Sequence, residues 1–189
     1  MSLRIIGGAF KGRSLKSPNV SSTRPTQGML REAVFNICQN RIEGARFLDL
    51  FAGSGAVGIE ALSRGAAHAT FVEKNRQALA CIKENLSSFQ LEKQSQIISL
   101  DAERALQLLA KQEARFDLIY VDPPYDVPTN PLLDALASLL SDDGLLFIEE
   151  RSSPKTSSKP YVPDRLTLKD SRRFGIALLH QYRVSDIPK

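Results

Sequence analysis

Cysteine and histidine are scarce in this chain, with two of each among 189 residues. Cys38 and Cys81 form no CxxC pair, and His68 and His180 stand equally alone. Metal and disulfide chemistry therefore have little support, and all four read as structural residues. Long apolar runs are missing too: none approaches the roughly 20 residues that span a bilayer. The opening stretch "MSLRIIGGAFKGR" has neither the continuous apolar core nor the small-residue cleavage site of a signal peptide. The expectation is a cytoplasmic protein without a membrane partner. No internal repeat or long linker divides the sequence, and its length suits one domain, 1–189. Within it, residues 1–45 read as a basic extension and residues 46–189 as the sheet core.

Charge is plentiful but unevenly spread. The net +4 conceals a basic segment from Met1 to Arg46 (+6), an acidic centre from Phe47 to Glu150 (−8) and a basic segment from Arg151 to Lys189 (+6). Two basic flanks suit a polyanionic partner gripped by the ends, while the acidic centre handles something else.

Five short apolar segments recur through the centre: "RFLDLF", "ATFVEK", "QIISLD", "DLIYVD" and "LLFIEE". Between them, "VGIEALSRG", "NRQALACIKENL", "AERALQLLAKQ" and "NPLLDALASLL" carry apolar residues at helical spacing. Strand alternating with helix predicts an α/β fold with a parallel, doubly wound sheet. Carboxylates fall at or near the strand ends, at Asp49, Glu73, Asp101, Asp122 and Glu149. Ligands bind at that edge in open sheets of this kind. Ahead of the sheet, "LRIIGGAFKGRSL" predicts a short hairpin around Gly7, Gly8 and Gly12, followed by a helix over 26–39 capped by Thr26. After it, residues 152–163, rich in Ser, Pro and Lys, read as an exposed loop. Two last strands, over 166–170 and 175–184, predict an edge hairpin turning near "SRRFG".

"FAGSGAVGIEA" holds a Gly-x-Gly-x-x-Gly at Gly53, Gly55 and Gly58. The spacing supplies a tight turn, close backbone approach and close helix packing, but does not choose a cofactor. Asp49 does. A dinucleotide would set its anionic pyrophosphate beside that carboxylate, whereas S-adenosylmethionine brings a positive sulfonium and ammonium. Glu73 is placed to accept from ribose hydroxyls with either ligand. Asp101 suits the exocyclic amine of adenine, or equally the N-cap of a helix starting at Ala102.

Directly after "DLIYV" comes "DPPY", Asp122 to Tyr125. Two prolines fix φ and remove two donors, so the chain leaves the sheet on a rigid path. This looks like the motif of S-adenosylmethionine-dependent methyltransferases acting on exocyclic amines of nucleobases. A base amine is a poor nucleophile while its lone pair is delocalised into the ring. If Asp122 and the Pro123 carbonyl accept its two N–H bonds, the lone pair turns toward the methyl group and the growing positive charge meets a carboxylate. Pro124 stiffens the turn, and Tyr125 offers a face on which the base can stack. Asp-Pro-Pro also makes a stiff structural turn in other settings.

"RIIGGAFKGRSL", "RPT" at 24–26, "REAVFNI", "DLFAGSGAVGIEALSRGA", "VEKN", "DPPY" and "FGIALLHQYR" together resemble the RsmD family of bacterial small-subunit ribosomal RNA guanine-N2 methyltransferases. The resemblance implies a Rossmann-like methyltransferase fold with a mostly parallel seven-stranded sheet. It also implies S-adenosylmethionine as donor, S-adenosylhomocysteine as product, no metal, and small-subunit ribosomal RNA or the 30S particle as partner of a monomer. By position it assigns Asp49, Gly53 and Gly55 to the methionine part of the donor, Glu73 to the ribose and Asp101 to the adenine, with Phe51, Ser54, Lys74 and Ala102 among the donor-binding residues. Asp122 to Tyr125 would hold the target amine. Arg24 and Thr26 would line the mouth, and Arg4, Lys11, Arg13 and Lys16 would hold RNA phosphates.

Other readings stay open. The same motif serves N6-adenine methylation of RNA or DNA, although 189 residues leave little room for a DNA-recognition module. Protein glutamine methylation would put Asn where Asp122 stands, and cytosine C5 methylation would need a Cys next to proline, which is absent. From other classes come a nicotinamide-dependent oxidoreductase, disfavoured by Asp49, and a non-catalytic RNA-binding protein on the same fold.

Overall fold

The computed structural model describes residues 3–18, 25–124, 127–151 and 160–185. Helix α1 (Pro25–Ile37) leads into an alternation of β1 (Arg46–Leu50), α2 (Ala56–Ser63), β2 (His68–Val72), α3 (Arg76–Phe89), β3 (Ser95–Ile98), α4 (Ala102–Lys111), β4 (Phe116–Val121), α5 (Leu133–Leu139) and β5 (Leu140–Arg151). The hairpin β6 (Leu166–Phe174) and β7 (Ala177–Val184) follows. The seven strands lie in the order β3-β2-β1-β4-β5-β7-β6. Neighbours from β3 through β5 pair in parallel, and β7 runs antiparallel to both β5 and β6. The order reverses direction between β1 and β4, so the loops leaving those two strands splay apart and open a crevice at the carboxyl edge.

Alternation along each strand divides the core in two. Phe47, Phe71, Tyr120 and Phe147 face α1, α2 and α3, packing with Val34, Ile59 and Ile82. Leu48, Leu50, Ile119 and Ile148 face α4 and α5, packing with Leu106 and Leu136. Strands buried on both faces read as near-continuous apolar runs, which is how the sequence presents them.

Local differences from the sequence expectation have simple causes. Helix α1 begins at Pro25, so Thr26 lies inside its first turn and is not its cap; proline fits there because its missing N–H would find no helical partner. The N-terminal hairpin has a single bridge, Arg4 to Ser14, supported by hydrogen bonds from Ile5 N–H to Arg13 O (3.0 Å) and Leu15 N–H to Leu3 O (2.8 Å). The last hairpin turns at Gly175, with φ of 61°, and both of its strands extend through "SRRF" or start just past it. Most of the loop expected over 152–163 lies outside the described residues.

A buried ion cluster ties the extension to the sheet core. Glu60 on α2 is fully buried and pairs with Arg31 of α1 and Arg64, each at 2.8 Å. Arg31 also donates to the Arg4 carbonyl at 2.6 Å, and the Ile6 N–H donates to Glu60 at 3.2 Å. One carboxylate thus fixes the hairpin and α1 over the opening of the crevice.

Candidate active site

The turn after β1 is built from left-handed backbone. Phe51, Gly53 and Gly55 have φ of 67°, 55° and 77°. A bulky residue in that region stores strain, and here it places Phe51 at the ligand edge. No atom lies within 4 Å of where a Gly53 Cβ would stand, so this glycine leaves open space. Gly58 does the opposite: a Cβ there would sit 2.3 Å from the Phe71 ring, so its role is close packing of α2 on the sheet. Gly55 is buried at the start of α2 and does not line the crevice, whereas Ser54 beside it does.

Carboxylates hold this turn in place. Glu73 Oε2 accepts from Gly53 N–H at 2.8 Å, while Oε1 accepts from Lys74 and Asn75 N–H, each at 2.8 Å. Asp49 is buried and accepts from Gly58 N–H at 2.9 Å. Burial raises its pKa to about 7, the Gly58 hydrogen bond opposes the rise, and Glu73 adds to it. Asp101 is the N-cap of α4, accepting from Arg104 N–H at 3.0 Å, and it also lines the crevice. The N-cap reading of Asp101 is thus met, and its side chain also borders the cleft.

Three connected clefts meet beyond the strand ends. The largest, about 440 Å³, runs from Glu73, Lys74, Asp101 and Ala102 past Gly53 to Asp122. A second, about 210 Å³, lies over Asp49, Phe51 and Ser54 under Arg31 and Gln27. The third, about 240 Å³, lies beyond the Pro123–Pro124 turn, walled by Val127, Thr129, Glu150 and Ile176. Asp122 and Glu149 line all three. Burial, then Glu149, then Asp49 raise the Asp122 pKa to about 8. Burial also raises Glu149, against a hydrogen bond from the Tyr120 hydroxyl at 2.8 Å. Burial thus raises all three carboxyls, and Asp122 is raised further by the charges of Glu149 and Asp49, so the junction of the clefts is lined by acidic groups.

Tyr125 and Arg24 lie outside the described residues, as does the side chain of Thr26. Of the basic residues assigned to RNA, Lys11 is exposed at the tip of the hairpin. Arg4 donates to the Gly12 carbonyl at 3.1 Å, and Lys16 pairs with Glu84. Arg13 stacks its guanidinium over Phe89 at 4.1 Å and Phe10 at 5.4 Å. The sequence reading gave no role to Tyr120, Glu149, Glu150, Gln27, Arg31 or Ile176. Glu149 was visible as a strand-end carboxylate; the others reach the site through strand order and through α1, which local pattern does not encode. Among the described residues no group of three His, Cys, Asp or Glu side chains gathers as a metal site, and no helix is long and apolar enough to cross a membrane.

This sheet order, with its reversed seventh strand and acid-lined crevice, is the α/β fold of the S-adenosylmethionine-dependent methyltransferases. The chain belongs to the family described as Conserved hypothetical protein 95, which matches residues 3–183. Ribosomal RNA small subunit methyltransferase D of Escherichia coli is 34% identical over 187 residues, covering 96% of this chain and 89% of that protein. The solved structure of yhhF from Escherichia coli superposes with a TM-score of 0.84 at 31% identity, covering 97% of this chain and 98% of that one. The fold also recurs in SMU.776, described as a methyltransferase and solved in complex with SAH (TM-score 0.69, 16% identity, 93% of this chain and 52% of that one).

Proposed function

We propose that this protein transfers the methyl group of S-adenosylmethionine to the exocyclic N2 amine of a guanine in small-subunit ribosomal RNA. The observation that carries the reading is the placement of Asp122 on a Pro-Pro turn, at the junction of the largest of these clefts and the one that opens beyond the turn. Relatives named as ribosomal RNA methyltransferases support the choice of RNA. The repelling carboxylates Asp49, Asp122 and Glu149 favour a cationic donor, and the open space at Gly53 admits close backbone approach. A pyrophosphate would add to the repulsion.

In this reading Glu73 and Lys74 hold the ribose, Asp101 and Ala102 the adenine, and Asp49, Phe51, Gly53 and Ser54 the methionine part. The bound donor supplies an electrophilic methyl group on a sulfonium. Asp122 and the Pro123 carbonyl accept the two amine N–H bonds, which localises the nitrogen lone pair and leaves a carboxylate beside the charge that grows during transfer. A cation alongside favours the ionised form of Asp122, so the donor prepares the acceptor group. Tyr125 stacks on the extruded base. The basic extension, 1–45, grips RNA phosphates with Lys11 foremost, and the protein works as a cytoplasmic monomer on naked RNA or the 30S particle.

The test is methyl transfer from labelled S-adenosylmethionine to small-subunit RNA or 30S particles, with nucleosides identified by mass spectrometry. N2-methylguanosine is expected. N6-methyladenosine would overturn the base assignment, and no transfer to either substrate would favour a non-catalytic RNA-binding protein.

A further inference from the structure

Glu149 and Glu150 are neighbours on β5, and strand alternation sends them to opposite faces. Glu149 meets Tyr120; Glu150 turns toward Thr129 and the cleft beyond the Pro-Pro turn. Glu150 is held from two sides. Thr129, itself buried, donates its hydroxyl to Oε1 at 2.6 Å, and His180 Nε2 stands 3.6 Å from Oε2. The His180 ring is only 5% exposed and is oriented through Nδ1 by the Ser171 hydroxyl at 2.9 Å. Thr129 from the loop before α5 and His180 of β7, itself backed by Ser171 of β6, thus support one carboxylate on β5 that is 27% exposed and lines the acceptor cleft. The donor cleft does not include Glu150. Methyl transfer as described above leaves this assembly unused.

We propose that Glu150 determines the base: its carboxylate, fixed by Thr129 and His180, accepts the N1–H of the target guanine and rejects purines lacking that proton. The inference rests on the guanine-N2 reading above. His180 beside it and the Thr129 hydroxyl lower the Glu150 pKa against the effect of burial, which favours the ionised form, an acceptor only. The guanine Watson–Crick edge presents two adjacent donors, N1–H and the N2 amine. Of the three carboxylates that line the cleft, Glu149 already accepts from the Tyr120 hydroxyl, and Glu150 and Asp122 can each accept from the base. Adenine offers a lone pair at N1, which a carboxylate repels. Enzymes that extrude a base read it by this edge, and a site built around a substrate N–H penalises analogues without it. No proton changes hands at Glu150.

The experiment compares RNA substrates carrying guanine or 2-aminopurine at the modified position; 2-aminopurine keeps the N2 amine and lacks N1–H. Wild-type protein is expected to favour guanine by about 100-fold in kcat/KM, the worth of one hydrogen bond to a charged group. In Glu150→Gln the ratio should fall to about 10-fold or less, mainly through loss on guanine, with SAH binding and Tm retained. Thr129→Val, which leaves the carboxylate but loosens it, should lower the ratio to an intermediate value, and it carries the test alone if E150Q does not fold. An unchanged ratio in a variant that binds SAH normally would overturn the role of Glu150 while leaving guanine methylation standing. Wild-type methylation of adenine instead of guanine would overturn both.

Discussion

Glu73 Oε2 accepts a hydrogen bond from Gly53 N–H at 2.8 Å, joining the loop after β2 to the turn after β1. With Oε1 engaged by Lys74 and Asn75, one carboxylate organises both sides of the large cleft. Replacing Glu73 with Ala should weaken SAH binding by about 10- to 100-fold, the range expected for charge-assisted hydrogen bonds. Calorimetry on wild type and variant would measure it.

Gly53 and Gly58 separate a binding defect from a stability defect. Gly58→Ala drives a methyl into the Phe71 ring and should cost about 1–3 kcal/mol, lowering Tm by roughly 2–4 °C for each kcal/mol. Gly53→Ala meets no atom but must adopt φ of 55°, which costs about 1–2 kcal/mol. Its larger effect should fall on SAH uptake, where the new methyl occupies ligand space. Thermal melts with and without SAH distinguish the two.

These positions also show what the sequence reveals and what it hides. The glycine spacing, strand-end acids and Pro-Pro turn were legible because each is a local requirement of backbone conformation or charge. βαβ alternation implied ligand binding at the carboxyl edge of the sheet, but not that the crevice opens between β1 and β4, which depends on strand order. The contributions of Arg31, Thr129 and Ile176 were not legible, because nothing near them in sequence says that α1 or the β6–β7 turn reaches the strand ends. Thr26 resembled a helix cap because Thr before an apolar-periodic run is a common N-cap, whereas the helix starts one residue earlier, at Pro25.

The raised pKa values give the ligand-free protein a pH dependence. Asp49 and Asp122 move from 3.8 to about 7 and about 8. A carboxyl whose folded pKa is raised contributes stability that is complete below its unfolded pKa and lost as pH rises through its folded pKa. Unfolding free energy from these groups should therefore decline between about pH 4 and pH 8, and Asp122→Asn should flatten the upper part of that decline. Denaturant titrations across this range provide the check.

The same linkage predicts proton release on donor binding. A cation beside Asp49 and Asp122 lowers their pKa values, so S-adenosylmethionine should release protons at pH 7 and SAH, with its neutral sulfur, should release fewer. Calorimetry in buffers of different ionisation enthalpy measures the difference. Equal release for both ligands would contradict placement of the sulfonium near these groups.

Arg31 and Glu60 predict a stability effect remote from the reacting atoms. Arg31→Met leaves the fully buried Glu60 with Arg64 alone, and breaking a buried pair costs about 3 kcal/mol. The hairpin should loosen with it, since Arg31 also holds the Arg4 carbonyl. Hydrogen exchange at Ile5 and Leu15 would report that loosening.

The most direct measurement is single-turnover methyl transfer to small-subunit RNA by wild-type protein and Asp122→Ala, each pre-loaded with labelled donor. Orientation and charge stabilisation by Asp122 predict a rate loss of about 10²–10³ in the variant while SAH is still bound. A variant that binds donor and transfers methyl at the wild-type rate would contradict the account.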